Sequence, residues 1–131
     1  MKIYHDADVD IDVLKGKTVA VMGYGSQGRA QALCFRDSGL NVVIGLRKDG
    51  RSWNKAKEDG FKVVDFAEAA KTADVIMMLL PDEVQPKVYK EFVEPNIREG
   101  CALEFAHGFA VTYKTIVPPK NIDVIMMAPK A

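Results

Sequence analysis

At 131 residues the chain has room for one domain. Lysine and arginine total 18 and aspartate and glutamate total 18, so the formal net charge is zero, and no long run of either sign occurs. That balance argues against a nucleic-acid or membrane-surface protein. The first element is the apolar run Thr18–Met22, which reads as a buried strand. Gln27–Ser38 follows as a helix, stopped by Gly39. Asn41–Leu46 is strand-like, Ser52–Asp59 a short helix stopped by Gly60, and Lys62–Val64 a short strand. Asp65 opens the next helix as N-cap, with Glu68 placed to complete a capping box. Ala73–Leu80 is a strong strand ended by Pro81. Asp82 then begins a helix over Val84 to about Val93, with Asp82 as N-cap and Gln85 as capping-box partner. Ala102–Phe105 and Ile122–Ala128 are the last strands. Ala106–Asn121 between them, with Pro118 and Pro119, reads as loop and a short turn.

Continuous apolar strands alternating with helices predict a parallel sheet covered on both faces. The fold class is therefore α/β, a Rossmann-type doubly wound sheet of about six strands in the order 3-2-1-4-5-6. Cys34 and Cys101 lie far apart, lack metal-ligand spacing and sit in apolar segments. They read as buried free thiols in a cytoplasmic setting. There is no signal-peptide pattern and no apolar run long enough to span a bilayer.

The stretch Gly23-Tyr24-Gly25-Ser26-Gln27-Gly28 joins the first strand to the first helix. In a dinucleotide fold, Gly23 permits the tight turn, Gly25 admits a pyrophosphate to the backbone, and Gly28 lets the helix pack closely. A purely structural glycine turn and a methyltransferase turn share this pattern. The second strand separates them. A protein that reads a ribose 2′-hydroxyl usually carries an acid roughly twenty residues beyond the fingerprint. Here Arg47 stands there, followed by Lys48, Arg51 and Ser52, donors suited to the 2′-phosphate of NADP. Asp49 dilutes the positive field of this loop. Leu80 and Pro81, at the end of the fourth strand, should border the cofactor path. His107 follows the fifth strand and precedes Gly108, on the crevice side of the sheet.

The segments "GYGSQGRAQAL", "GLRKDGRSWNKA", "LLPDEVQ", "FAHGF" and "VPPKNIDVIMMAPKA" together resemble ketol-acid reductoisomerase, in family order and spacing over the whole chain. The resemblance implies an NADPH-dependent enzyme of branched-chain amino-acid synthesis. Such enzymes convert 2-acetolactate or 2-aceto-2-hydroxybutyrate to the 2,3-dihydroxy acid by magnesium-assisted alkyl migration and hydride transfer. It implies that Tyr24, Gly25, Ser26 and Gln27 form the pyrophosphate turn, and that Arg47 and Ser52 contact the 2′-phosphate. Asp82, Glu83, Val84 and Gln85 match a second cofactor segment, and His107 the active-site histidine. Two departures stand out. Gly50 occupies a position that is often serine in the family. The run after His107 is "HGFAVTY", so Ala110 and Thr112 replace an amide and an imidazole.

The resemblance also sets the expected domain organisation. Residues 1–131 read as the dinucleotide-binding domain, with the family's C-terminal helical domain and its magnesium ligands absent. No paired inward carboxylates are evident in the sequence, so the chain alone is expected to lack turnover. A pure NADP(H)-binding module without catalysis is the alternative. Loss of a covering domain would leave apolar surface and favour a homo-oligomer.

Overall fold

The computed structural model describes residues 1–128. The last three residues of the "VPPKNIDVIMMAPKA" segment lie outside the described residues. Two short 3₁₀ turns, Asp6–Asp8 and Ile11–Leu14, precede β1 (Thr18–Met22). The chain continues through α1 (Ser26–Asp37), β2 (Asn41–Gly45), α2 (Arg51–Glu58), β3 (Lys62–Val64) and α3 (Phe66–Thr72). Then come β4 (Val75–Met78), α4 (Gln85–Val88), β5 (Ala102–Phe105), α5 (Phe109–Thr112) and β6 (Asp123–Met126). The six strands form one parallel sheet in the order β3-β2-β1-β4-β5-β6. This is the doubly wound order expected from the alternating pattern.

Side-chain alternation along the strands divides the core into two layers. On one face Val19, Val21, Val42, Ile44 and Met77 meet Ala32 of α1 and Ala56 of α2. On the other, Ala20, Met22, Ile76, Met78, Leu103 and Phe105 meet α3 and α4. Helix α3 lies close to the sheet because it presents Ala69 and Ala70. A Cβ at Gly45 of β2 would sit 2.9 Å from the Ala69 methyl. Asp65 caps α3, accepting from the Glu68 N–H at 2.9 Å. The cap is one-way, with no return bond from the Glu68 side chain among the described residues.

Several expected features differ in the structure. Cys101 is buried, and burial pushes its thiol up to about 11, but Cys34 is exposed on the outer side of α1. The helix after Pro81 begins at Gln85, runs one α turn, and continues as a π turn over Tyr89–Val93. The Glu94 N–H reaches back five residues to the Tyr89 carbonyl at 2.8 Å. β4 and β6 are shorter than their apolar runs. β6 is exposed along its whole length, so the sheet is not covered on both faces at this edge.

Glu104, on β5, is 1% exposed. By alternation it faces away from Leu103 and Phe105 and their layer. Its Oε1 accepts the Met127 N–H at 3.0 Å, while Oε2 is buried without a partner among the described residues. Burial raises this carboxyl above the usual range, opposed by the Met127 bond.

Candidate functional site

The crevice at the carboxyl ends of β1, β2 and β4 begins with the glycine turn. Gly23 has φ of +100°, a conformation that side-chain-bearing residues rarely adopt, and a Cβ there would lie 2.9 Å from the Leu79 carbonyl oxygen. Gly28 is held against the turn itself: a Cβ would come within 2.5 Å of the Gly23 carbonyl oxygen. Gly25 is different. No heavy atom lies within 4 Å of the position its Cβ would take. The open side of Gly25 thus abuts empty space at the N-terminus of α1, whose first turn contains no acid and whose N-cap supplies no side-chain hydrogen bond. Free N–H groups and the helix dipole make this a place for an anion.

Beside the turn lies a cavity of about 580 Å³. Its walls are largely apolar, from Leu46, Trp53, Phe66, Leu80, Val84 and Phe92. Arg47, Lys48, Arg51 and Ser52 supply polar groups at its β2–α2 end. Asp65 also lines it and draws the Lys48 ammonium to 3.7 Å, which leaves Arg47 and Arg51 as the cations of the β2–α2 loop without a carboxylate partner among the described residues; Lys87, on the α4 wall, is likewise without one. Gly50 is the N-cap of α2 and offers no side-chain cap, so this helix start too has unsatisfied N–H groups facing the basic loop. Asp49 takes a left-handed conformation, φ 63°, to turn the loop back. An apolar slot ending in cations and helix N–H groups suits a flat heteroaromatic ring carrying a phosphate.

The segment after β4 departs from the capping-box expectation. Val84, not Asp82, is the N-cap of α4, and it makes no side-chain cap bond. Gln85 is buried, and its Nε2 donates to the Leu80 carbonyl at 2.7 Å, fixing the strand end that walls the cavity. Asp82 turns toward β5, where its carboxylate lies 3.1 Å from His107 Nε2. The Phe109 N–H donates to His107 Nδ1 at 3.3 Å. This backbone bond and Asp82 provide the hydrogen bonding around His107. Ala110 is the buried residue of α5, and Thr112 Oγ1 lies 3.4 Å from where a Gly108 Cβ would stand.

The expected residues thus fall into three groups. Arg47, Lys48, Ser52, Leu80, Pro81 and Val84 line one cavity. Gly23, Gly25, Ser26, Gln27 and Gly28 form the adjoining turn and helix start. Asp82 and His107 form a separate pair, half-exposed, with Gly108 next in sequence. Glu83 is exposed outside the cavity, and Gln85 acts through Leu80. Trp53, Phe66 and Phe92 were not singled out in the sequence. They come from three elements that only the topology brings together, although Trp53, the single tryptophan, stands next to Ser52.

Tyr24 also differs from expectation. Its side chain points away from the crevice and packs edge-on against Phe61 at 6.0 Å. Its hydroxyl donates to Asp59 Oδ2 at 2.7 Å, and Arg29 donates to both carboxylate oxygens, from Nε at 2.8 Å and from its terminal nitrogen at 3.3 Å. Only the Tyr24 backbone is left for a ligand. Burial, then the Asp59 hydrogen bond, push the phenol up to about 12. The Arg29 and Tyr24 hydrogen bonds hold Asp59 down at about 2.

The donor set for a divalent metal does not fit. Among the described residues no three His, Cys, Asp or Glu side chains converge. Asp82 is committed to His107, and Asp74 sits at the opposite end of the sheet, bonded to Thr18 N–H and Arg98. No helix of the described residues is long and apolar enough to cross a membrane.

Known proteins share both the sequence and this architecture. A ketol-acid reductoisomerase (NADP(+)) of Pyrococcus abyssi is 57% identical over 100% of this chain and 40% of its own length. One of Methanocaldococcus jannaschii is 56% identical over the same share of each. The chain therefore spans about 40% of the length of these relatives. A solved NADH-preferring ketol-acid reductoisomerase from an uncultured archaeon superposes with a TM-score of 0.91 at 54% identity, covering 100% of this chain and 41% of that one. The family described as acetohydroxy acid isomeroreductase, NADPH-binding domain, matches residues 13–131, and the chain belongs to it.

Proposed function

We propose that this chain is the cofactor-holding part of a cytoplasmic ketol-acid reductoisomerase. The pyrophosphate would lie over Gly25 at the α1 N-terminus. The adenine would enter the slot between Trp53, Phe66 and Val84, and the 2′-phosphate would meet Arg47, Ser52 and the α2 N-terminus. The nicotinamide end would then extend toward His107. One observation carries this reading: the glycine turn, open at Gly25, meets the cation-ended apolar cavity through Leu80, a cavity-wall residue whose side chain lies 3.1 Å from where a Gly23 Cβ would stand. The acetohydroxy-acid substrate, and the magnesium that assists alkyl migration in such enzymes, would be held by groups outside these residues. The helical domain that the family resemblance implies is the proposed source of those groups. Exposed Phe109, Val111, Val124 and Met126 offer apolar surface for that domain or for a second copy of the chain.

Calorimetry with NADPH, NADH and S-adenosylmethionine tests the assignment. Binding of NADPH with no binding of S-adenosylmethionine supports it. Absence of nicotinamide-cofactor binding overturns it. The NADPH and NADH arms also address a second reading. The solved relative at 54% identity is an NADH-preferring enzyme, so equal or tighter NADH binding would place this chain with that relative.

A further inference from the structure

We infer that Asp59 is a positioning residue that sets the glycine turn at the correct distance from the basic loop. The inference rests on the cofactor reading above. Asp59 is the C-cap of α2, the helix whose opposite end begins at the basic loop. Its carboxylate receives Tyr24 from the middle of the glycine turn and Arg29 from the first turn of α1. Its carbonyl receives Arg36 from the last turn of α1, and the Arg36 guanidinium stacks over Phe61 at 4.5 Å. One residue thus joins the turn, the start of α1 and the end of α2. None of these bonds touches the crevice.

A dinucleotide that spans both anion sites must find them at one separation. Each site also exists separately: the glycine turn by its own backbone, the basic loop by Arg47, Ser52 and the α2 N-terminus. The clamp therefore matters to a ligand that bridges the sites and not to one that uses a single site. Loss of the carboxylate would let α2 and the glycine turn shift relative to each other while both persist. Glycine packing at Gly28 and the sheet bond from Gly23 N–H to the Gly45 carbonyl, at 3.1 Å, still hold the turn onto the sheet.

The test compares NADPH, which spans both sites, with 2′-AMP, which reaches only the basic loop. In Asp59→Asn, NADPH binding should weaken about tenfold, since sub-ångström misplacement of anchoring groups is costly, while 2′-AMP stays within about twofold. Tyr24→Phe removes only the hydroxyl and should give the same split at smaller amplitude. It serves if Asp59→Asn does not fold, with circular dichroism confirming the folded state. A parallel loss of both ligands would mark the cluster as general scaffolding and overturn the inference. Unchanged NADPH binding in the folded variants would overturn it as well, while leaving the cofactor reading intact. Failure of the unsubstituted chain to bind NADPH would instead overturn the cofactor reading and this inference with it.

Discussion

Gly28 packs against Gly23 so closely that a single added carbon would lie 2.5 Å from the Gly23 carbonyl oxygen, whereas Gly25, between them, faces open space. The three glycines of one motif thus have separable physical duties. Gly28→Ala should destabilise the fold by about 1–3 kcal/mol through overpacking of a backbone contact. Gly25→Val should change stability by roughly 0.5 kcal/mol or less, yet abolish NADPH binding by filling the space the pyrophosphate needs. Thermal melting and calorimetry on the two variants check the pair. Normal NADPH binding by Gly25→Val would reduce the motif to a turn.

The basic loop should decide between cofactors. Arg47→Asp removes a donor to the 2′-phosphate and adds a like charge. A charge-assisted hydrogen bond is worth about 1.5–3 kcal/mol, so NADPH should weaken roughly ten- to hundredfold or more. NADH, which lacks that phosphate, should bind level with NADPH or ahead of it. Equal loss of both cofactors in a titration would remove Arg47 from the 2′-phosphate.

His107 should be a single tautomer. Its Nδ1 accepts the Phe109 N–H, so the ring proton belongs on Nε2, facing Asp82. Nitrogen-15 spectra of the neutral ring should show Nε2–H as the dominant form. Asp82→Ala should weaken that preference while the Phe109 bond remains. A dominant Nδ1–H form in the unsubstituted chain would contradict the geometry.

Glu104 should make stability depend on pH, and Glu104→Gln should remove that dependence. A carboxyl held above its ordinary value keeps its proton in the folded chain after the unfolded chain has lost it. Its contribution is therefore fullest below the ordinary carboxylate range and declines as pH rises through the folded value. Melting temperatures from pH 4 upward should fall less for Glu104→Gln than for the unsubstituted chain. Parallel curves would mean that Glu104 is solvated.

Much of this was legible in the sequence. β1 and β3 run from the residues their apolar runs indicate, and the sheet order follows from alternation. That Arg47 lines the crevice is legible because a residue roughly twenty positions beyond the glycine motif falls at the carboxyl end of the second strand. Other features depend on contacts that no local pattern encodes. Asp82 and Gln85 have the right types and spacing for a helix cap, but His107 and the Leu80 carbonyl compete for them and win. The π turn at Tyr89–Val93 uses residues that would serve an α-helix equally well. Tyr24 lies inside a ligand motif, and only the location of Asp59, 35 residues away, reveals which way its ring turns.

The lopsided covering of the sheet also dictates how the molecule breathes. β1 is hydrogen-bonded on both sides and buried from Val19 to Met22, so its amides exchange with solvent only when the whole domain unfolds. β6 has one neighbour and four exposed positions, and its far end is fastened where the Met127 N–H is shared between the Phe105 carbonyl, at 3.1 Å, and Glu104, at 3.0 Å. That edge should open on its own, many times for each global unfolding event. Deuterium should therefore enter at Val124 and Ile125 well before it enters at Val21 and Ile44. The protection gradient across the sheet would run from the open edge inward, and whatever covers β6 would first be felt there as slowed exchange.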